Sequence, residues 1–169
     1  MKLRLLLAVL LTVSVACGGG GHGVSGEDYV TQIQRVSVNA HIQERGLAKE
    51  LQRRLKHAGS QARRLEALKV YADQSARLYQ DIVDALKELQ PPDEVATAQE
   101  RYEGAWQGQL DLVVGLRDAG FGVHDLLDNL DGKAFESAAA ETKTRCEQLQ
   151  EAVSADGAGV DLACDGSPR

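Results

Sequence analysis

The stretch LEALKVYADQSARLYQDIVDALKEL, residues 65–89, decides the fold. Apolar or small residues recur along it at alternating spacings of three and four positions: Leu65, Leu68, Ala72, Ser75, Tyr79, Ile82, Leu86 and Leu89. Such a continuous stripe is typical of a helix packed at a shallow angle against other helices. Ser60 is placed to cap the start of this helix, and Pro91-Pro92 ends it. The pattern predicts a helix over residues 61–90.

Two further amphipathic stretches lie nearer the ends of the chain. The first covers residues 27–57, and its apolar stripe is Val30, Ile33, Val36, Ala40, Leu47, Leu51 and Leu55. The last follows Asp131, which is placed as an N-cap, and its stripe is Phe135, Ala138, Thr142, Cys146, Leu149 and Val153. Both stripes have the spacing of one helix face.

The remaining stretch follows an N-cap position at Asp93 and carries apolar residues to Leu116. Glycines within it, among them Gly104 and Gly108, lower its helix propensity but would permit close contact between helices. The Gly120–Gly122 region either breaks this helix or lets it continue to Leu130.

Four amphipathic helices joined by short connections are expected to pack as antiparallel neighbours. Only 4% of the residues are aromatic, and this balance favours helices over sheets. We therefore predict an all-α fold. Residues 27–154 form an antiparallel up-down-up-down four-helix bundle, and residues 155–169 form an irregular C-terminal tail.

The first seventeen residues, MKLRLLLAVLLTVSVAC, have the pattern of an export signal. Lys2 and Arg4 precede an apolar run that is too short to span a bilayer. The small residues at 14–16 then lead to Cys17, which predicts a signal peptide over 1–16 and lipid attachment at Cys17. Residues 18–26, GGGGHGVSG, would form a tether with a reach of about 16 Å. The expected location is the extracytoplasmic face of the cell membrane.

The chain has three cysteines, at positions 17, 146 and 164. Outside the cytoplasm thiols tend to pair, and an odd number leaves one unpaired. If Cys17 carries lipid, Cys146 can pair with Cys164 and hold Val160 and Leu162 of the tail against the bundle. The alternative is an ordinary secreted protein, cut at the same bond, in which Cys17 is a free thiol.

Several of these features occur together in a known group of proteins. They are the Cys17 junction with its glycine tether, Leu86-x-x-Leu89-x-Pro91-Pro92, Asp131-Gly-Lys-Ala-Phe135, and Val160-Asp-Leu-Ala-Cys164. The chain resembles the small helical secreted lipoproteins of unknown function that are common in high-GC Gram-positive bacteria. This resemblance implies a lipid anchor, a helical fold and a disulfide, and it implies no activity.

Patterns that would indicate catalysis or cofactor binding are missing from the sequence. There is no nucleophile elbow and no phosphate-binding glycine loop, so we expect neither an enzyme nor a cofactor. The Glu-x-x-His pairs of metal-binding bundles are also missing; the reverse order occurs once, at His41 and Glu44. A weak metal candidate combines His57 with His124 and Asp128, because the predicted topology brings these positions to one end of the bundle.

Charge is distributed unevenly along the chain. The formal charge is −6, and it becomes −8 once Lys2 and Arg4 are removed, which argues against general nucleic-acid binding. Residues 44–69 hold eight basic residues against three acids, whereas residues 81–136 hold thirteen acids against four basic residues. The basic segment could contact an anionic wall polymer or an envelope protein. Alternatively, its residues 53–64 pair with acids of the same bundle at Asp125, Asp128 and Asp131.

These observations predict a membrane-anchored lipoprotein whose helical domain is a non-enzymatic interaction or binding module. The alternative is a bundle that binds a metal or small ligand beside a transporter or sensor. A ligand binder requires a concave pocket with converging polar groups, whereas an interaction module requires only an exposed surface. The sequence sets neither the ligand nor the oligomeric state.

Overall fold

The structure, a computed structural model, describes residues 26–118, 133–155 and 159–165. Over these ranges the chain forms four helices and no strand, so the predicted all-α class is confirmed. The helices are α1 (Gly26–His57), α2 (Gln61–Glu88), α3 (Asp93–Asp118) and α4 (Lys133–Ser154).

The boundaries of α2 follow from its capping residues. The Ser60 hydroxyl accepts a hydrogen bond from the backbone N–H of Arg63, which confirms the predicted N-cap. The helix ends at Glu88, two residues before the predicted end, because Leu89 is already extended and donates its N–H to the Leu86 carbonyl. The proline at position 91 disfavours helical geometry in the residue before it, so the chain leaves the helix early.

The start of α3 also differs from the prediction. The carbonyl of Pro92 accepts hydrogen bonds from the N–H groups of Val95 and Ala96. Asp93 is therefore the first helical residue and Pro92 takes the cap position, so the predicted Asp93 cap is wrong. The predicted Asp131 cap and the Gly120–Gly122 region lie outside the described residues.

Neighbouring helices along the chain pack against one another, α1 on α2, α2 on α3 and α3 on α4. The main core is centred on Trp106 and Tyr102 of α3, which are fully buried. A second cluster is formed by Leu68 and Leu116, with partly buried residues packed against it: Leu51, Leu55, Leu65 and Phe135. Each of the four helices thus contributes apolar residues to the core.

The segment after α4 folds back onto the bundle. A disulfide joins Cys146 to Cys164, with their Cα atoms 5.5 Å apart, which confirms the predicted pairing. Val160 and Leu162 are buried, as the sequence predicts. Ala163 is buried beside them with a φ of 55°, in the left-handed region that glycine usually occupies.

The glycines of α3 do not serve close packing within the bundle. Gly104, Gly108 and Gly115 are exposed, and a Cβ atom built on any of them would meet nothing within 4 Å. The expectation that they permit close contact between helices is therefore wrong for these three positions in the single chain.

Candidate functional site

The buried face of α1 is rotated from the stripe predicted by apolar residues. Tyr29, Ile33, Ser37 and Ala40 are almost fully buried, and His41 is only 8% exposed. Val30 and Val36 of the predicted stripe are only partly buried. Because positions 29, 33, 37 and 41 are four residues apart, they share a face that includes two polar side chains.

Ser37 connects α1, α3 and the C-terminal tail. Its hydroxyl donates to the backbone carbonyl of Leu162 over 2.7 Å. Since that uses its single hydrogen, the Tyr102 hydroxyl, 3.1 Å away, donates to the Ser37 oxygen. The Cys146 Sγ atom lies 3.8 Å from the same oxygen. Ser37 therefore fixes the tail at Leu162, next to the disulfide.

Aromatic rings surround Trp106 in the middle of the core. The centroids of Tyr79, His41 and Tyr102 lie 5.4, 5.9 and 6.2 Å from that of Trp106. These separations are within the range of stabilising aromatic pairs. Burial raises the pKa of the Tyr102 hydroxyl and holds it in its neutral form.

A carboxylate adjoins this cluster at Glu44. The Tyr79 hydroxyl donates to Glu44 Oε1 over 3.1 Å, and His41 Nδ1 lies 3.7 Å from Glu44 Oε2. The pKa of the Tyr79 hydroxyl is raised, mainly by burial and to a smaller extent by the negative charge of Glu44. Glu44 thus contacts both Tyr79 and His41 at the edge of the core. The other ring nitrogen of His41, Nε2, has no hydrogen-bond partner among the described residues.

The metal-binding predictions are only partly covered by the structure. His57 is exposed in the last turn of α1, whereas His124 and Asp128 lie outside the described residues. Within the described ranges, no group of three or more His, Cys, Asp or Glu side chains could hold a metal ion. The approach of His57 to His124 stays a prediction.

The basic segment contains a compact ion-pair cluster on α1. Arg53 donates two hydrogen bonds to Glu50, over 2.6 and 2.7 Å, and Arg54 donates a third over 2.7 Å. These hydrogen bonds stabilise the charged carboxylate and lower the pKa of Glu50 to about 2, with Arg53 making the largest contribution. Arg63 and Arg64 are exposed in the first turn of α2, which contains no acid. The predicted pairing with Asp125, Asp128 and Asp131 falls outside the described residues.

A cavity of about 420 Å³ lies where three helix ends come together. We call it the Tyr29 cavity. Its walls come from the start of α1 (26–31), the start of α3 with Pro92, and the end of α4 with the residue that follows it (152–155). The Tyr29 hydroxyl is buried and has no hydrogen-bond partner among the described residues. Of the side chains that form the wall, only Glu94 is charged.

Cys17, the predicted lipid-attachment residue, lies outside the described residues. Among the helices of the described ranges, none combines the length and apolar character needed to cross a bilayer. Comparison with protein-family models, curated proteins and solved structures found no significant match to the chain. The resemblance to helical lipoproteins stays a prediction.

Sequence reasoning missed Ser37 and the Tyr29 cavity for different reasons. Ser37 and His41 follow Ile33 at four-residue spacing, so position on the helix could have revealed them although residue type did not. The cavity combines segments around residues 29, 94 and 153. No local pattern in the sequence indicates that these three segments lie next to one another.

Proposed function

We propose that the protein is a lipoprotein anchored through Cys17 on the extracytoplasmic face of the cell membrane, where its helical domain is a non-enzymatic binding module. The observation that carries this proposal is the Cys146–Cys164 disulfide. Disulfides persist in oxidising compartments and are rare in the cytosol. The pairing of Cys146 with Cys164 also leaves Cys17 as the remaining cysteine, and Cys17 is the residue at which the proposed export signal would be cut and lipid attached.

In this proposal the helices are arranged as an antiparallel up-down-up-down bundle. Support comes from the second apolar cluster, in which Leu55 near the end of α1 and Leu68 near the start of α2 pack with Leu116 near the end of α3 and Phe135 near the start of α4. Such alternation of ends and starts is what antiparallel neighbours produce.

The Tyr29 cavity supports binding as the role of the domain. Ligand sites in proteins are concave, mostly apolar and of about 300–1,000 Å³, with a few polar groups. The cavity has this size, and its wall is mainly apolar with polar side chains at Thr31 and Glu94. In the central core, by contrast, the hydroxyls of Ser37, Tyr79 and Tyr102 bind the tail, Glu44 and Ser37.

Metabolic labelling with an alkyne fatty acid tests the anchor. The wild-type protein should incorporate the label and sediment with membranes. Cys17→Ser should lose both properties, whereas Cys164→Ser, the matched control, should keep them. Labelling that is unchanged in Cys17→Ser, or membrane association without any label in the wild type, would contradict the proposal.

A second candidate function is binding of an anionic wall polymer by the start of α2. Arg63 and Arg64 place two positive charges at the positive, amino-terminal end of the α2 dipole, which is unfavourable. The first turn of α2 contains no acidic residue to neutralise them. An anion beside them would relieve this repulsion. Binding to a polyglycerol-phosphate polymer should fall in high salt and in the double variant Arg63→Gln/Arg64→Gln. It should persist in Arg101→Gln, which removes an exposed arginine from α3. If the affinity for the polymer is the same in high salt and in the double variant, this candidate function is excluded.

A further inference from the structure

The Tyr29 cavity has the size and lining of a site for one small apolar ligand. At about 420 Å³ it is near the small end of the range for ligand pockets. Val30, Val95, Ala152 and Val153 supply apolar wall from three helices. A flexible hydrocarbon chain suits such a space, because each buried methylene contributes about 0.8 kcal/mol.

Tyr29 contributes to this wall through an almost fully enclosed side chain. Its side chain is 1% exposed, and its hydroxyl has no hydrogen-bond partner among the described residues. Burial raises the pKa of this hydroxyl, so it remains a donor at ordinary pH. This hydroxyl is enclosed behind the wall and is out of reach of a ligand in the cavity, so the apolar side chains and Glu94 determine which ligand the cavity accepts.

The charge beside the cavity selects among ligands with an acyl chain. Glu94 is the only charged side chain of the described wall, and no basic side chain is present there. A carboxylate or phosphate at the end of the ligand would be repelled by Glu94. The cavity therefore selects against acyl chains with an anionic end.

The cavity also lies close to the membrane if the proposed anchor is correct. Gly26, at its edge, is nine residues after Cys17. Nine residues span at most about 30 Å when fully extended, so the cavity must stay within that distance of the lipidated cysteine. Lipids of the bilayer surface are therefore the nearest source of acyl chains.

We propose that the Tyr29 cavity binds a single acyl chain of an uncharged membrane lipid. This inference deepens the proposed binding function and names its ligand class. A lipid from the surrounding membrane is a better occupant than the acyl groups on Cys17. Withdrawing a chain of the anchor would weaken attachment, since a single chain gives only marginal membrane binding.

The test uses the full chain carrying Cys17→Ser, so that its outcome does not depend on lipid attachment. A medium-chain monoacylglycerol, kept below its micelle concentration, should bind with one-to-one stoichiometry in calorimetry and native mass spectrometry. The fatty acid with the same chain should bind more weakly, and Glu94→Gln should reduce this difference. Failure to bind the monoacylglycerol would overturn the inference and leave the anchoring proposal intact.

Two variants locate the binding site. Ala152→Phe fills the cavity and should weaken binding about tenfold or more, since tenfold corresponds to the burial of roughly two methylenes. Ala139→Phe, on an exposed face of the same helix, should bind as the parent does. Tyr29→Phe removes only the enclosed hydroxyl and keeps the shape of the side chain, so it should bind as the parent does. Equal affinity in Ala152→Phe and Ala139→Phe, with helicity retained, would refute the site.

The lipidated wild type distinguishes the two sources of acyl chains. If the ligand comes from the membrane, detergent-purified wild type should bind the monoacylglycerol with the same affinity as Cys17→Ser. Loss of binding in the lipidated protein alone would mean that the chain's own anchor fills the cavity, and it would overturn the assignment to a membrane lipid.

Discussion

Replacing Cys164 with serine should destabilise the protein without unfolding its helices. The disulfide closes a loop between residues that are 18 positions apart, for which the chain-entropy model gives a stabilisation of about 3 kcal/mol. At roughly 2–4 °C per kcal/mol for a domain of this size, the melting temperature should fall by about 6–12 °C. Cys164 is the better residue to change, because it is partly exposed whereas Cys146 is fully buried.

The assay is urea unfolding followed by far-ultraviolet circular dichroism. Cys164→Ser should have a lower midpoint than oxidised wild type and the native helical signal in water, because the burial of Leu162 and its hydrogen bond from Ser37 also hold the tail on the bundle. Wild type treated with a reductant should match the variant, which controls for the serine itself. Coincident midpoints for oxidised and reduced wild type would show that the cross-link contributes nothing, and the reasoning would fail.

Gly108→Ala should raise the free energy of unfolding by up to about 1 kcal/mol, measured in urea, because the helix gains propensity without a clash; destabilisation would mean that this face makes a contact outside the single chain. Ala163→Val should cost about 1–2 kcal/mol or more by the same measurement, since a β-branched residue is strained at a φ of 55°, whereas Ala163→Gly should be tolerated. Burial raises the pKa of Tyr79 above its usual 10.0, so stability should be full below about pH 10 and decline as the pH rises further. Tyr79→Phe should make that decline shallower, and tyrosinate absorbance should rise together with loss of helicity; ionisation of all tyrosines in the folded protein would contradict this.

The fold was predictable to the extent that it depends on local patterns. The α2 stripe and the Ser60 cap are features of neighbouring residues, and both are found in the structure. The face of α1 was predicted less well, because Ser37 and His41 are polar by type yet buried by position. Their burial depends on partners such as Tyr102 and Leu162, which are distant in the sequence.

The candidate sites show the same difference between local features, which could be predicted, and long-range contacts, which could not. The Cys146–Cys164 pairing could be predicted, because the chain has only three cysteines and one of them was expected to carry lipid. The left-handed turn at Ala163 could not, since alanine gives no signal for a positive φ. The Tyr29 cavity is a product of long-range packing among three helix ends, and only the assembled chain contains it.

The position of Leu162 has a consequence for synthesis. Leu162 follows all four helices along the chain, yet it fills the core and accepts the Ser37 hydrogen bond. During synthesis, which starts at the amino end, the four described helices are therefore complete before Leu162, the residue that closes the core, is added. Until then Ser37 and Tyr102 lack that closing segment, so a product stopped after Ser154 should bind chaperones and be degraded sooner than one that reaches Cys164.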